Sequence, residues 1–123
     1  MSMFEIVFSP TGGTQKVSGL VAGALGKNTV TVDLTDSGLD FHGVSMAKGD
    51  VAVISVPSYA GRVPAVAVER LGMVRGNGAR AVLVCVYGGR AFEDTLIELE
   101  DVAKRAGFRV VAAVSAIAEH SVA

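Results

Sequence analysis

The sequence predicts an α/β fold: a doubly wound, five-stranded parallel sheet of strand order 2-1-3-4-5, lacking the helix that ordinarily closes it. Three observations lead there. Five short apolar runs alternate with stretches of helical period along 123 residues, the length of one domain. The runs are apolar at nearly every position, as parallel strands covered on both faces are. The chain stops at Ala123, a few residues past the fifth run, where a closing helix would need to follow.

Each element has a local reason. "FEIVF" (4–8) is the first strand. Residues 14–25 place Val17, Leu20, Val21, Ala24 and Leu25 on one helical face, and Gly26 suits the stop. "TVTVDL" (29–34) is a β-branched second strand. Residues 35–49 hold three glycines and no period, which predicts a long loop with at most one turn of helix. "DVAVISV" (50–56) is a third strand, stopped by Pro57. Pro64 fits the first turn of a helix over 64–75, closed by Gly76. "RAVLVCVY" (80–87) is a fourth, buried strand. A helix over 91–106 presents Phe92, Leu96, Leu99, Ala103 and Ala106 on one face. Glu93 and Asp94 in its first turn and Lys104 and Arg105 in its last match the helix dipole, and Gly107 caps it. "RVVAAVSAI" (109–117) is the fifth strand.

Composition removes several function classes. Half the residues are hydrophobic and 19% are charged, which excludes a disordered chain. No run is long enough to cross a membrane, and "MSMFEIVFSP" lacks the features of a secretion signal, so a cytoplasmic protein is expected. A net charge of −1 without a basic cluster argues against nucleic acid as a partner. The single cysteine, Cys85, excludes an internal disulfide and any multi-cysteine metal site. It lies inside "AVLVCVY" and is expected to be a buried, inert thiol.

In an open parallel sheet, ligands bind beyond the carboxyl ends of the strands. Three predicted loops there are unusual. "SPTGGT" (9–14) opens a helix, so the amides of Gly12, Gly13 and Thr14 can converge near a positive helix end, joined by the hydroxyls of Ser9, Thr11 and Thr14. A terminal phosphate monoester, with three outer oxygens, fits that donor set. The patterns G-x-G-x-x-G and G-x-x-x-x-G-K are missing. The other loops are "PSYAGRVP" (57–64) and "YGGRAFED" (87–94). They hold the chain's two tyrosines, Tyr59 and Tyr87, beside glycines, as two walls for a flat ring.

"SPTGGT" resembles the phosphate loop of flavodoxins, [S/T]-x-T-G-x-T, at every fixed position. "P-x-Y-x-G" (57–61) and "YGGRAFED" resemble the two flavin-ring loops. Together with "AEHS" (118–121) they are most similar to the flavodoxin domain of flavodoxin–ferredoxin fusion proteins. The resemblance implies that residues 1–123 form one flavodoxin-like, FMN-binding domain. Ser9, Thr11, Gly12, Gly13 and Thr14 would hold the phosphate. Ser58, Tyr59, Ala60 and Gly61 would line one side of the ring, and Tyr87, Gly88, Gly89 and Arg90 the other. It further implies that a backbone carbonyl of the second loop turns to accept a hydrogen bond from the N5 proton of reduced flavin, with Ala60–Gly61 as the candidate peptide. Flavodoxins surround the ring with acidic residues, whereas this chain has Arg62 and Arg90 there. Pointing inward they would raise the potential; pointing outward, the better expectation for long solvated side chains, they would be docking charges or would pair with a neighbour such as Glu93.

The resulting expectation is an electron carrier with a ferredoxin-like or reductase protein as redox partner. Its nearest rival is an FMN-dependent NAD(P)H:quinone-type reductase, and a weaker one is a non-redox module that binds a phosphate ligand. A phosphorylated receiver is excluded, because Ser9-Pro10 and Pro57 stand where it needs acidic residues. A low-molecular-weight phosphatase is excluded by the spacing and place of Cys85 and Arg90. His42 is expected on the surface, and His120 at the ligand edge. The carboxylates of "EDTLIELEDVAKR" are expected to form a solvated helix face. Without a closing helix, one face of the last two strands needs cover, from a second copy or from the rest of a longer protein.

Overall fold

The computed structural model of the protein describes residues 2–26, 28–87 and 92–117. The strands are β1 (Met3–Val7), β2 (Thr29–Asp33), β3 (Val51–Pro57), β4 (Arg80–Tyr87) and β5 (Arg109–Ile117). The helices are α1 (Gly13–Leu25), α2 (Ala65–Met73) and α3 (Phe92–Arg105). Every strand pair is parallel and the order is β2-β1-β3-β4-β5, as expected.

Register aligns the apolar runs across the sheet. Ile6 lies beside Val32 and Ile54, and Ile54 beside Leu83. These side chains face α2 and α3, where Leu71 and Leu99 complete the larger core. The segment between β2 and β3 is part of that core. It contains a single 3₁₀ turn, Phe41–Gly43, and buries Phe41 and Met46. The opposite face packs Val53, Val82, Val84 and Val86 against α1, through Ala22, Val17 and Val21.

The buried face of α1 differs from the sequence expectation. Thr14, Ser18 and Ala22 meet the sheet, Val17 and Val21 are half-buried, and Leu20 is 71% exposed. A polar pair takes the place of leucine because Ser55 stands opposite Ser18 on β3, and the two hydroxyls satisfy each other. Counting apolar residues alone therefore rotates the predicted face.

The end of α2 also differs. The helix stops at Met73, because residues 44–46 take up the backbone that follows: Arg75 N donates to Val44 O at 3.0 Å, and Met46 N to Arg75 O at 2.9 Å. Gly76 has another role. A Cβ there would lie 2.6 Å from Phe108 N and 2.7 Å from the carbonyl carbon of Gly107. Only glycine permits that approach of two backbones.

Among the described residues, no helix follows β5. Ala112, Val114 and Ala116 pair with Val82, Val84 and Val86 and so face the α1 side, where α1 does not cover them. The register slips once, between Ala81 and Val82, leaving Val111 as the extra residue. No helix among the described residues is long and apolar enough to cross a membrane.

Candidate functional site

The loops after β1, β3 and β4 leave neighbouring strands at the carboxyl edge. Because α1 covers one face and α2 and α3 the other, the loops after β1 and β3 part in opposite directions and open a crevice between them.

The first loop is held from three sides. Phe8 N donates to Ser55 O at 3.0 Å, so the chain follows β3 for one residue beyond β1 before turning. Ser9 N then donates to Thr35 Oγ1 at 2.8 Å, and Thr35 N to Asp33 Oδ1 at 2.9 Å, bracing the loop against the end of β2. Ser9 Oγ accepts the Gln15 amide at 3.0 Å, which caps the third residue of α1. Gly12 adopts φ +89°, a left-handed conformation suited to glycine, and its carbonyl accepts the Lys16 amide at 3.2 Å to begin the helix. Among the described residues, no hydrogen bond occupies the amides of Gly12, Gly13 or Thr14. Thr11, Gly12 and Gly13 are exposed, while Thr14 turns its side chain toward the sheet. The Ser9 hydroxyl accepts from Gln15 and keeps its own proton to donate. Open amides and hydroxyls at a helix start, with no acidic residue in the first turn, suit an anion with several oxygens.

The second loop is a tight hairpin. Tyr59 N donates to Arg62 O at 2.9 Å, and Arg62 N to Tyr59 O at 3.0 Å. Ala60 (φ 51°) and Gly61 (φ 78°) are both left-handed, which defines a type I′ turn. Turning the Ala60–Gly61 peptide over would produce a type II′ turn, whose first central position belongs to glycine. The cost of that movement therefore falls on Ala60. Tyr59 is 48% exposed at the crevice edge. Ser58 N donates to Val86 O at 2.8 Å, tying the hairpin's base to the end of β4.

Arg62 pairs with Glu98 of α3; the side chain of Glu93 lies outside the described residues. Arg62 Nε and Nη2 each donate to a Glu98 carboxylate oxygen at 2.9 Å, and Val63 N donates to Glu98 Oε1 at 2.9 Å. The Arg62 guanidinium beside Glu98 holds that carboxyl below the usual carboxylate range. This pair, with Tyr59, Val63, Pro64, Ala65 and Val68, lines a groove of about 550 Å³.

Tyr87 is half-buried at the end of β4. Gly88, Gly89, Arg90 and His120 lie outside the described residues. His42 sits exposed in the 3₁₀ turn. Cys85 is fully buried, and burial pushes its thiol up to about 11, as an inert core cysteine requires. Among the described residues, no cluster of His, Cys, Asp and Glu could hold a metal ion.

Sequence reasoning missed Thr35, Ser18, Thr95 and Glu98. The Ser58 and Thr95 hydroxyls lie 2.6 Å apart, so two residues of α3 grip the hairpin. Their contacts with Ser9, Ser55, Ser58 and Arg62 had no local signal, because those partners lie at least 26 residues away in the chain.

The chain matches no protein-family model and no curated protein sequence. Solved structures share its fold. A flavodoxin of Streptococcus pneumoniae aligns over 97% of this chain and 88% of its own, with 21% identity and a TM-score of 0.66. An NADH:FMN oxidoreductase in its apo form aligns over 95% and 76%, with 16% identity and a TM-score of 0.72. A flavodoxin of Fusobacterium nucleatum bound to flavin mononucleotide aligns over 89% and 67%, with 18% identity and a TM-score of 0.63. The chain thus has the flavodoxin-like fold.

Proposed function

We propose that this chain is an FMN-binding electron-transfer domain, working in the cytoplasm and passing electrons to a protein partner, either ferredoxin-like or a reductase. The observation that carries the reading is the loop after β1: three amides without a hydrogen bond among the described residues and adjacent hydroxyls lie together at the start of α1, with no acidic side chain in its first turn. That set fits a phosphate monoester, and fold neighbours that are FMN flavoproteins support the rest of the ligand.

FMN, when bound, supplies one- and two-electron redox chemistry. The chain's residues supply position. Ser9, Thr11, Gly12, Gly13 and Thr14 hold the phosphate by amide and hydroxyl donation. Ser58, Tyr59, Ala60 and Gly61 would form one wall of the ring site; Tyr87, Gly88, Gly89 and Arg90 are assigned to the other on the sequence resemblance alone. Arg62, engaged by Glu98 on the outside, presents its charge to an approaching acidic partner. The face bearing Ala112, Val114 and Ala116 is the surface through which a second copy would pair.

A second reading has its own observation. The apolar groove beside Tyr59 has room for a small acceptor, which suits an FMN-dependent NAD(P)H:quinone-type reductase.

Titration with FMN, followed by flavin fluorescence and the visible spectrum with riboflavin for comparison, tests the proposal. Tight FMN binding and much weaker riboflavin binding are expected, and Thr11→Ala should narrow the difference. Steady turnover of NAD(P)H with a quinone would favour the reductase. A folded chain that binds phosphate esters but no flavin would favour a non-redox binding module.

A further inference from the structure

The proposed ring wall after β3 is attached to helix α3. Two side chains on one face of the same helix, Thr95 and Glu98, reach across to the wall after β3. Thr95, with no solvent exposure, meets Ser58 just before the hairpin at 2.6 Å. Glu98 takes Arg62 and Val63 just after it through three contacts of 2.9 Å. The hairpin between these anchors holds Ala60 in a left-handed conformation that a non-glycine residue adopts only where its surroundings impose it.

We infer that Glu98 is a positioning residue for the ring site: by fixing Arg62 and Val63 it holds the Tyr59–Arg62 hairpin, the wall after β3, closed. This rests on the proposed function for the identity of the ring, but not for the state of the hairpin. The Arg62 side chain is 73% exposed, so simple attraction between the charges is screened and contributes little. The forked geometry and the third bond, to backbone, supply the constraint. Glu98 touches no ligand and acts only through residues 62 and 63.

Glu98→Gln removes one arm of the fork and sets an amide against the guanidinium. Hydrogen exchange of the Tyr59 and Arg62 amides in the ligand-free protein should quicken about tenfold or more. Affinities for FMN and riboflavin should fall by a common factor of about ten, leaving their ratio unchanged, and the visible bands of bound flavin should shift. A general loss of fold would not keep the ratio constant while moving the bands. Arg62→Lys keeps the charge without the fork and should fall between wild type and Glu98→Gln. Glu100→Gln, which removes a charge paired with Lys104 on the same helix, should change none of these readouts.

Should Glu98→Gln not fold, Arg62→Ala at the exposed end of the pair reports the same exchange and affinity changes. Wild-type exchange at Tyr59 and Arg62 in a folded variant overturns the inference. Failure of the wild-type protein to bind either flavin overturns the proposed function instead, and the exchange measurement still decides the role of Glu98 in the hairpin.

Discussion

The Ser55 hydroxyl on β3 donates to Ser18 Oγ on α1 at 2.7 Å, and solvent reaches neither side chain. This contact seats the first turns of α1, and with them the proposed phosphate loop, on the sheet. Ser18→Ala leaves the Ser55 hydroxyl buried without its partner and should cost about 1–2 kcal/mol in urea unfolding. The double variant Ser18→Ala/Ser55→Ala should be less destabilised than the sum of the single changes, because both polar groups are then gone.

Gly76 faces backbone that cannot retreat. Gly76→Ala should therefore lower stability by about 3 kcal/mol or more, seen as a large drop in thermal midpoint. Gly19, on the exposed side of α1 with open space around it, is the contrast. Gly19→Ala should raise stability by about 0.5–1 kcal/mol.

The hairpin tip predicts opposite outcomes at adjacent residues. Gly61→Ala places a second side chain in the left-handed region and should cost about 1–2 kcal/mol. Ala60→Gly relieves the existing strain, partly offset by the greater freedom of glycine when unfolded, and should stabilise by less than about 1 kcal/mol. It should also quicken amide exchange at Gly61, since the central peptide is then free to reverse.

Acid should weaken the fold through two carboxylates. Asp50 accepts the Ala47 and Ser2 amides, both at 2.8 Å, and these bonds hold it below its ordinary value. Glu98 is lowered by Arg62 and Val63. A carboxyl lowered in the folded state adds stability above its unfolded pKa and loses it as pH falls through the folded value. Unfolding free energy should thus stay level on this account down to about pH 5 and fall below about pH 4. Asp50→Asn should flatten the decline, measured as denaturant midpoint against pH.

Cys85 should not react with an aromatic disulfide reagent at pH 8 in the native protein, because the thiol is both buried and protonated there. One thiol per chain should appear on adding denaturant. Partial reaction under native conditions would mean that β4 opens locally.

What the sequence disclosed follows the range of each interaction. β4 and β5 were legible to the residue, because their apolar runs are long and bounded by turn signals. The loop after β1 was legible as a donor cluster because its glycines and hydroxyls are contiguous. The inward face of α1 was not, since Ser18 is buried only by virtue of Ser55, 37 residues further on. Glu98 sits among other carboxylates on an apparently solvated helix, and only folding brings Arg62 beside it. Arg62 is largely exposed and has a partner that no local pattern could name.

Ser9 is braced by Thr35, Thr35 by Asp33 and Gln15 by Ser9 through bonds that the chain makes with itself. The proposed phosphate would therefore meet a rigid mould and would not have to organise a floppy segment. The entropy of ordering the loop has been settled during folding. Ligand exchange should then be limited by diffusion and by breaking contacts, without local melting. A stripped chain should keep its shape and reload at once, like a socket from which the plug has been drawn.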